Sequence, residues 1–270
     1  MIYLIVGRSG SGKDYIANRL EEKGLRRLVS YTTRPVRSEE DASSHIFITE
    51  EEAATYTDKV ARTVINGYEY FATAEQIKNS DIYIIDPNGL DELVSNMPDT
   101  IFHIIHVVAA SDLERKLHAV NRAEDKIKEE EIFNKRNANE NEQFSAFEEK
   151  VDSESLDHFP KNVMWIDTYV NDYDPVTAEK KTTDYAMDLK LTKRVLGLLK
   201  TCRDINLPVR DPNDASMISV AVSEGSNEYV SIPEQYYADT LVHSDMKDNI
   251  SASLYNFMLE YIMTNPDFEI

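Results

Sequence analysis

Short continuous apolar runs alternate with amphipathic stretches along most of this chain. Ile2 to Val6, Ile82 to Ile85, Ile101 to Val108 and Val163 to Ile166 have the length and continuity of buried strands. Tyr15 to Leu20, the segment from Leu90, Asp112 to Val120 and Tyr185 to Arg203 have helical spacing. Arg26 to Thr33 reads as a strand running into a loop, and His45 to Ile48 as a short strand. Thr49-Glu50-Glu51-Glu52 is a helix-start signature, and Asn66-Gly67 before Tyr68, Tyr70 and Phe71 predicts a hairpin turn. Lys128 to Lys150 predicts a long helix with solvated charged faces, and Asp172 to Thr183 a polar loop. Strand and helix alternate to about residue 205. That predicts an α/β fold with a mostly parallel sheet and helices on both of its faces.

Residues 206–270 read as a C-terminal α+β extension. Pro208, Pro212 and the polar run Asp211 to Asp214 mark its start. Met217 to Val222 and Tyr229 to Ile232 predict two strands joined by Glu224-Gly225-Ser226-Asn227. Ser251 to Met263 predicts a helix with Leu254, Phe257, Met258, Tyr261 and Ile262 on one side. That apolar side is expected to pack on the rest of the chain. The sharper alternative is an oligomer or partner contact.

The 270 residues carry a formal net charge of −20 and are 41% hydrophobic. So acidic a chain argues against general nucleic-acid binding, and any phosphate site has to be a local cluster of Arg and Lys. Cys202 is the only cysteine, so neither an intramolecular disulfide nor a cysteine metal cluster is possible. The first apolar run is too short for a membrane segment and lacks basic residues before it. A cytoplasmic setting without a membrane partner is the expectation.

That first run leads into Gly7-Arg8-Ser9-Gly10-Ser11-Gly12-Lys13-Asp14, which has the G-x-x-x-x-G-K spacing of a P-loop. Glycines let backbone N–H groups turn around phosphate oxygens, the lysine adds positive charge, and the following helix points its N-terminus at the same anion. Asp14 stands where a Ser or Thr hydroxyl usually meets Mg²⁺. It is either a metal ligand or a first-turn helix acid. Arg34-Pro35-Val36-Arg37 offers two guanidinium groups as a phosphate clamp, with solvated surface arginines as the alternative. Asp86 closes an apolar strand and is either functional or a helix N-cap. His103 and His106 fall on opposite faces of one strand and do not form a joint metal site.

In this order and spacing, the loop Gly7–Lys13, the run Ser30 to Arg37, His45-Ile46-Phe47, Gly67-Tyr68-Glu69-Tyr70 and Ile85 to Gly89 resemble guanylate kinases and related nucleoside-monophosphate kinases over residues 1–205. The resemblance implies a P-loop kinase domain over 1–205, with a small substrate-binding subdomain at about 32–80 and a lid at about 118–140. It implies ATP and Mg²⁺ as cofactors and a nucleoside monophosphate as acceptor. ATP would be held by Gly7, Ser9, Gly10, Ser11, Gly12, Lys13 and Asp14, with Asp14 at the metal. Ser30, Arg34, Arg37, His45, Tyr70 and Asp86 would bind the acceptor. Lys13, Arg34, Arg122 and Arg136 would stabilise the transferring phosphoryl group.

Two departures bear on the acceptor. His45 replaces the family's tyrosine, and Ala61 stands where the family has a guanine-reading glutamate, nine residues before Tyr70. Guanine specificity is therefore not implied. The chain is also similar to ribose 1,5-bisphosphate phosphokinases, in its Gly-Lys-Asp, His45-Ile46 and Asn66-Gly67, and those enzymes read no base. Guanylate kinase-like domains that act only as binding modules typically lose the loop's glycines and lysine, which are intact here.

Overall fold

The computed structural model describes residues 1–36, 44–65, 67–121, 125–153, 156–205, 209–210, 217–221 and 229–233. Strand β1 (Ile2–Val6) is apolar and buried at all five positions, so it takes a central place in a sheet. β7 (Ile82–Ile84) and β8 (Phe102–Ala109) flank it, and β2 (Arg27–Leu28) and β9 (Val163–Asn171) complete the order β2-β7-β1-β8-β9, with every pair parallel. Helices cover both faces, as a buried parallel sheet requires. On one side Ile2, Leu4, Val6, Phe102 and Ile104 share a core with Leu90 and Leu93 of α4 (Pro87–Asn96) and with Phe144, Phe147 and Val151 of α6 (Lys126–Asp152). On the other, Tyr3 packs edge-on against Tyr185 of α7 (Pro175–Ile205) and donates its hydroxyl to Tyr185 O at 3.2 Å.

The expected separation of the two histidines follows from this layering. His103 lies beside Tyr3, Trp165 and Tyr185, whereas His106 lies edge-on to Phe147. The charged helix α6 is more than a solvated face. Phe133, Phe144, Phe147 and Val151 give it a buried stripe.

A second sheet has the order β4-β3-β6-β5, from β3 (Tyr31–Thr32), β4 (Ile46–Phe47), β5 (Lys59–Ile65) and β6 (Tyr68–Thr73). Gly67, at φ 83°, turns β5 into β6. Thr49 caps α2 (Glu50–Ala53) through a reciprocal capping box with Glu52.

One element differs from expectation. Asp172 to Thr183 is not loop throughout, because α7 starts at Pro175. A proline in the first turn follows Asp174, whose carboxylate accepts the Val176 N–H at 2.8 Å. That is a strong helix start. The hydroxyls of Thr182 and Thr183 donate back to Ala178 O and Glu179 O, so the polar run is satisfied inside the helix.

The chain divides into two compact units, Met1–Ala186 and Met187–Ile270. In the second, β10 (Val209–Arg210), β11 (Met217–Ala221) and β12 (Tyr229–Pro233) form an antiparallel sheet, with Met217 opposite Pro233 and Ala221 opposite Tyr229. The expected strand pair is there. The connecting turn, the polar run from Asp211 and the helix expected at Ser251 to Met263 lie outside the described residues. Among the described residues no helix is long and apolar enough to cross a membrane.

Candidate functional site

Between the end of β1 and the start of α1 (Lys13–Glu22), the chain makes a tight loop at the carboxyl edge of the parallel sheet, where ligands of such sheets collect. Gly10 and Gly12 have φ of 80° and 92°, a left-handed conformation that L side chains rarely adopt. Space is closed as well. A Cβ on Gly7 would fall 2.5 Å from Val107 O and 2.6 Å from Ser11 Oγ, and one on Gly10 would fall 2.5 Å from Arg115 O. Lys13 stands half-buried in the first turn of α1. Ser11 is fully buried, and its Oγ has no hydrogen-bond partner among the described residues.

Three side chains from distant parts of the sequence tie the loop down. Arg115, on α5 (Asp112–Asn121), donates Nη1 to Ser9 O at 2.8 Å, Tyr173 donates its hydroxyl to Gly10 O at 2.7 Å, and Asn171 donates Nδ2 to Ser11 O at 2.9 Å. Three successive carbonyls are thus anchored to the scaffold. Fixing them holds the loop's backbone in one conformation. Orphaned Ser11 Oγ, the glycine cradle and the lysine suit the phosphates of a nucleotide such as ATP. None of the three anchors is evident in the motif itself. For Asn171 and Tyr173 the available signal was their place at and just past the end of β9.

Asp14 is exposed, and its Oδ1 accepts Arg27 Nη2 at 2.9 Å. Among the described residues no three His, Cys, Asp or Glu side chains gather as a metal site.

The proposed acceptor residues fall into two groups. Ser30 is buried, and its Oγ lies 3.0 Å from His45 Nδ1, while the His45 ring stands 5.4 Å from that of Tyr70. Arg34 is buried, with its guanidinium 5.1 Å above the Phe47 ring. Asp86 caps α4, accepting Asn88 N and Gly89 N at 3.0 Å each. It also accepts Gln143 Nε2 of α6 at 2.7 Å. Capping and a place at the cleft are therefore compatible roles for this acid. Arg37 and Arg122 lie outside the described residues. Arg136 is exposed on α6.

Around Ala61 no acid takes the missing glutamate's place on β5. Ala61 is buried with φ 54° at an irregularity between Val60 and Thr63. Burial pushes the Glu69 carboxyl up, but hydrogen bonds and charge from Lys59 and Arg62 outweigh it and leave the pKa below the ordinary value. Glu92 of α4 accepts the Arg62 N–H, and burial raises its pKa.

No family model and no curated protein matches this sequence. Among solved structures, the guanylate kinase from Anaplasma phagocytophilum is similar at a TM-score of 0.44 and 16% identity, over 70% of this chain and 84% of that one.

Proposed function

We propose that this chain is an ATP-dependent phosphotransferase that phosphorylates a nucleoside monophosphate or deoxynucleoside monophosphate to the diphosphate. The observation that carries this reading is the loop Gly7–Lys13. Its left-handed glycines, anchored carbonyls and half-buried lysine suit a polyphosphate at the carboxyl edge of a parallel sheet. The second sheet supports an acceptor site, with Ser30, His45 and Tyr70 clustered and Arg34 over Phe47, whose ring lies 6.1 Å from that of His45.

In this reading Lys13 and the loop amides hold the donor phosphates and neutralise charge that builds during transfer. Arg34, with Arg37, grips the acceptor's phosphate. Ser30, His45 and Asp86 line the acceptor's far end. Arg122 and Arg136 act from a lid, and Asp14 reaches the metal region only by leaving Arg27. Mg²⁺ bound to the nucleotide adds positive charge to the phosphate oxygens. A general base is not required when the attacking atom is already a phosphate oxygen.

A second reading is a sugar-phosphate kinase acting on ribose 1,5-bisphosphate. Ala61, buried on a strand β5 that carries no acid of its own, favours it.

A phosphoryl-transfer assay with Mg-ATP against GMP, dGMP, AMP, dAMP, CMP, dCMP, UMP, dTMP and ribose 1,5-bisphosphate tests both. Turnover of a nucleotide that Lys13→Ala abolishes is the expected result. Turnover of ribose 1,5-bisphosphate alone promotes the second reading. Full activity in Lys13→Ala overturns the loop assignment.

A further inference from the structure

The helix α6 lies on the phosphate-binding loop, and the face it presents is acidic. Asn137, Glu140, Asn141, Phe144 and Glu148 stand at positions i, i+3, i+4, i+7 and i+11, which puts them on one stripe. Every one of them touches the loop or its anchors. Glu148 grips Arg8 with both carboxylate oxygens, accepting Nε and Nη2 at 2.7 Å each, and Asn141 accepts Arg8 Nη1 at 2.7 Å. The Arg8 guanidinium stands 5.3 Å from the Phe144 ring centre. Asn137 accepts from Arg115, the residue that anchors Ser9 O. Glu140 goes further. Its Oε2 accepts the backbone N–H of Ser9 at 3.0 Å, and its Oε1 accepts the Ser9 hydroxyl. One helical turn on, Gln143 bonds Asp86.

A carboxylate on a loop amide and hydroxyl is the chemistry of a bound phosphate oxygen: an anion accepting from a backbone N–H and a neighbouring O–H. Glu140 and a nucleotide phosphate cannot share the Ser9 donors. Two anions that close also repel strongly where water is partly excluded. The one arginine of this helix, Arg136, is exposed and makes no ion pair among the described residues. The helix thus meets the loop with negative charge where phosphoryl transfer calls for positive charge.

Resting on the nucleotide-binding reading above, we propose that α6 is a self-inhibiting strap. In it Glu140 occupies the Ser9 end of the loop in place of a phosphate, and nucleotide binds by displacing it. The docking and the competition are separable. Glu148 on Arg8 and Asn137 on Arg115 hold the helix whether or not position 140 is charged. Glu140 alone takes the loop's amide. Removing that charge raises nucleotide affinity without undocking the helix.

The test is calorimetric titration of the full chain with ATP and, separately, with inorganic tripolyphosphate, both with Mg²⁺ and without acceptor. Wild type is compared with Glu140→Gln, with Glu149→Gln as a control that makes the same charge change at an exposed position of the same helix, and with Lys13→Ala. Glu140→Gln is expected to tighten both ligands about tenfold, the gain when a self-occupied state holding about nine-tenths of the molecules is released. Glu149→Gln should stay within about twofold of wild type on the same scale. Unchanged or weaker binding in Glu140→Gln overturns the strap, as does equal tightening in Glu149→Gln. If wild type and Glu140→Gln both bind but Lys13→Ala does not, the loop assignment stands whatever the strap does. If no variant binds either ligand, the nucleotide-binding reading fails and the strap fails with it.

Discussion

Asn171 Nδ2 lies 2.9 Å from Ser11 O, and a Cβ built on Gly12 would fall 2.0 Å from that same nitrogen. One side chain from the end of β9 thereby holds a loop carbonyl and forbids a side chain on the next residue. Gly12→Ala is expected to lose ATP binding and to cost about 1–3 kcal/mol, combining the clash with a left-handed φ. Adding Asn171→Ala removes the clash but not the dihedral cost and the lost Ser11 bond, so the double variant should stay impaired. Urea unfolding and ATP titration check this, and wild-type binding by Gly12→Ala would refute the crowding argument.

In the proposed function the buried Arg34 serves the acceptor and not ATP. Arg34→Ala should raise the acceptor KM by about 10–100-fold, the loss of a hydrogen-bonded charge on a phosphate. ATP affinity in the absence of acceptor should not move. A loss of ATP binding in a variant with a wild-type unfolding midpoint would reassign the residue.

Asn162 holds the end of α4. Its side-chain amide donates to Val94 O at 2.9 Å and Met97 O at 3.0 Å, and all three groups are buried. Asn162→Ala takes a buried donor from both carbonyls and leaves Met97 O only the Thr100 N–H at 3.1 Å, so stability should fall by about 1–3 kcal/mol. Chemical denaturation measures it, and a change under 0.5 kcal/mol, about the scatter of neutral surface substitutions, would contradict the capping role.

His106 makes a pH prediction. Burial among β8 and α6 lowers its pKa, and the nearby charges of Glu148 and Asp152 only partly oppose that. An unfolded histidine titrates near 6.5, so below that pH the unfolded chain binds the proton more readily than the folded one. Stability should therefore fall as pH drops through 6.5 toward the lower folded value, and level off for this group beyond it. Comparing unfolding free energies at pH 7.5 and 5.5 isolates the effect as the difference between wild type and His106→Leu. Equal pH dependence in the two would remove His106 as the cause.

The glycine-rich loop and the central strands were legible from the residues because their causes are local. Five consecutive apolar residues, Ile2 to Val6, can only be satisfied inside a sheet. Fourteen residues contain the strand, the glycines and the helix start that the loop needs. The Thr49 capping box and the turn at Gly67 are local in the same way. Tertiary structure decided what the loop is held by and what lies on it. Its three carbonyl anchors come from Arg115, Asn171 and Tyr173, separated from their partners by 106, 160 and 163 positions. The stripe of α6 that meets it reads, in one dimension, like any charged helix face. A hydrophobic period says which side of a helix is buried, but not which backbone amide a carboxylate on its flank will find. That depends on how the sheet stacks β8 between β1 and β9, and on where the packed Phe144 and Phe147 set α6 down beside the loop.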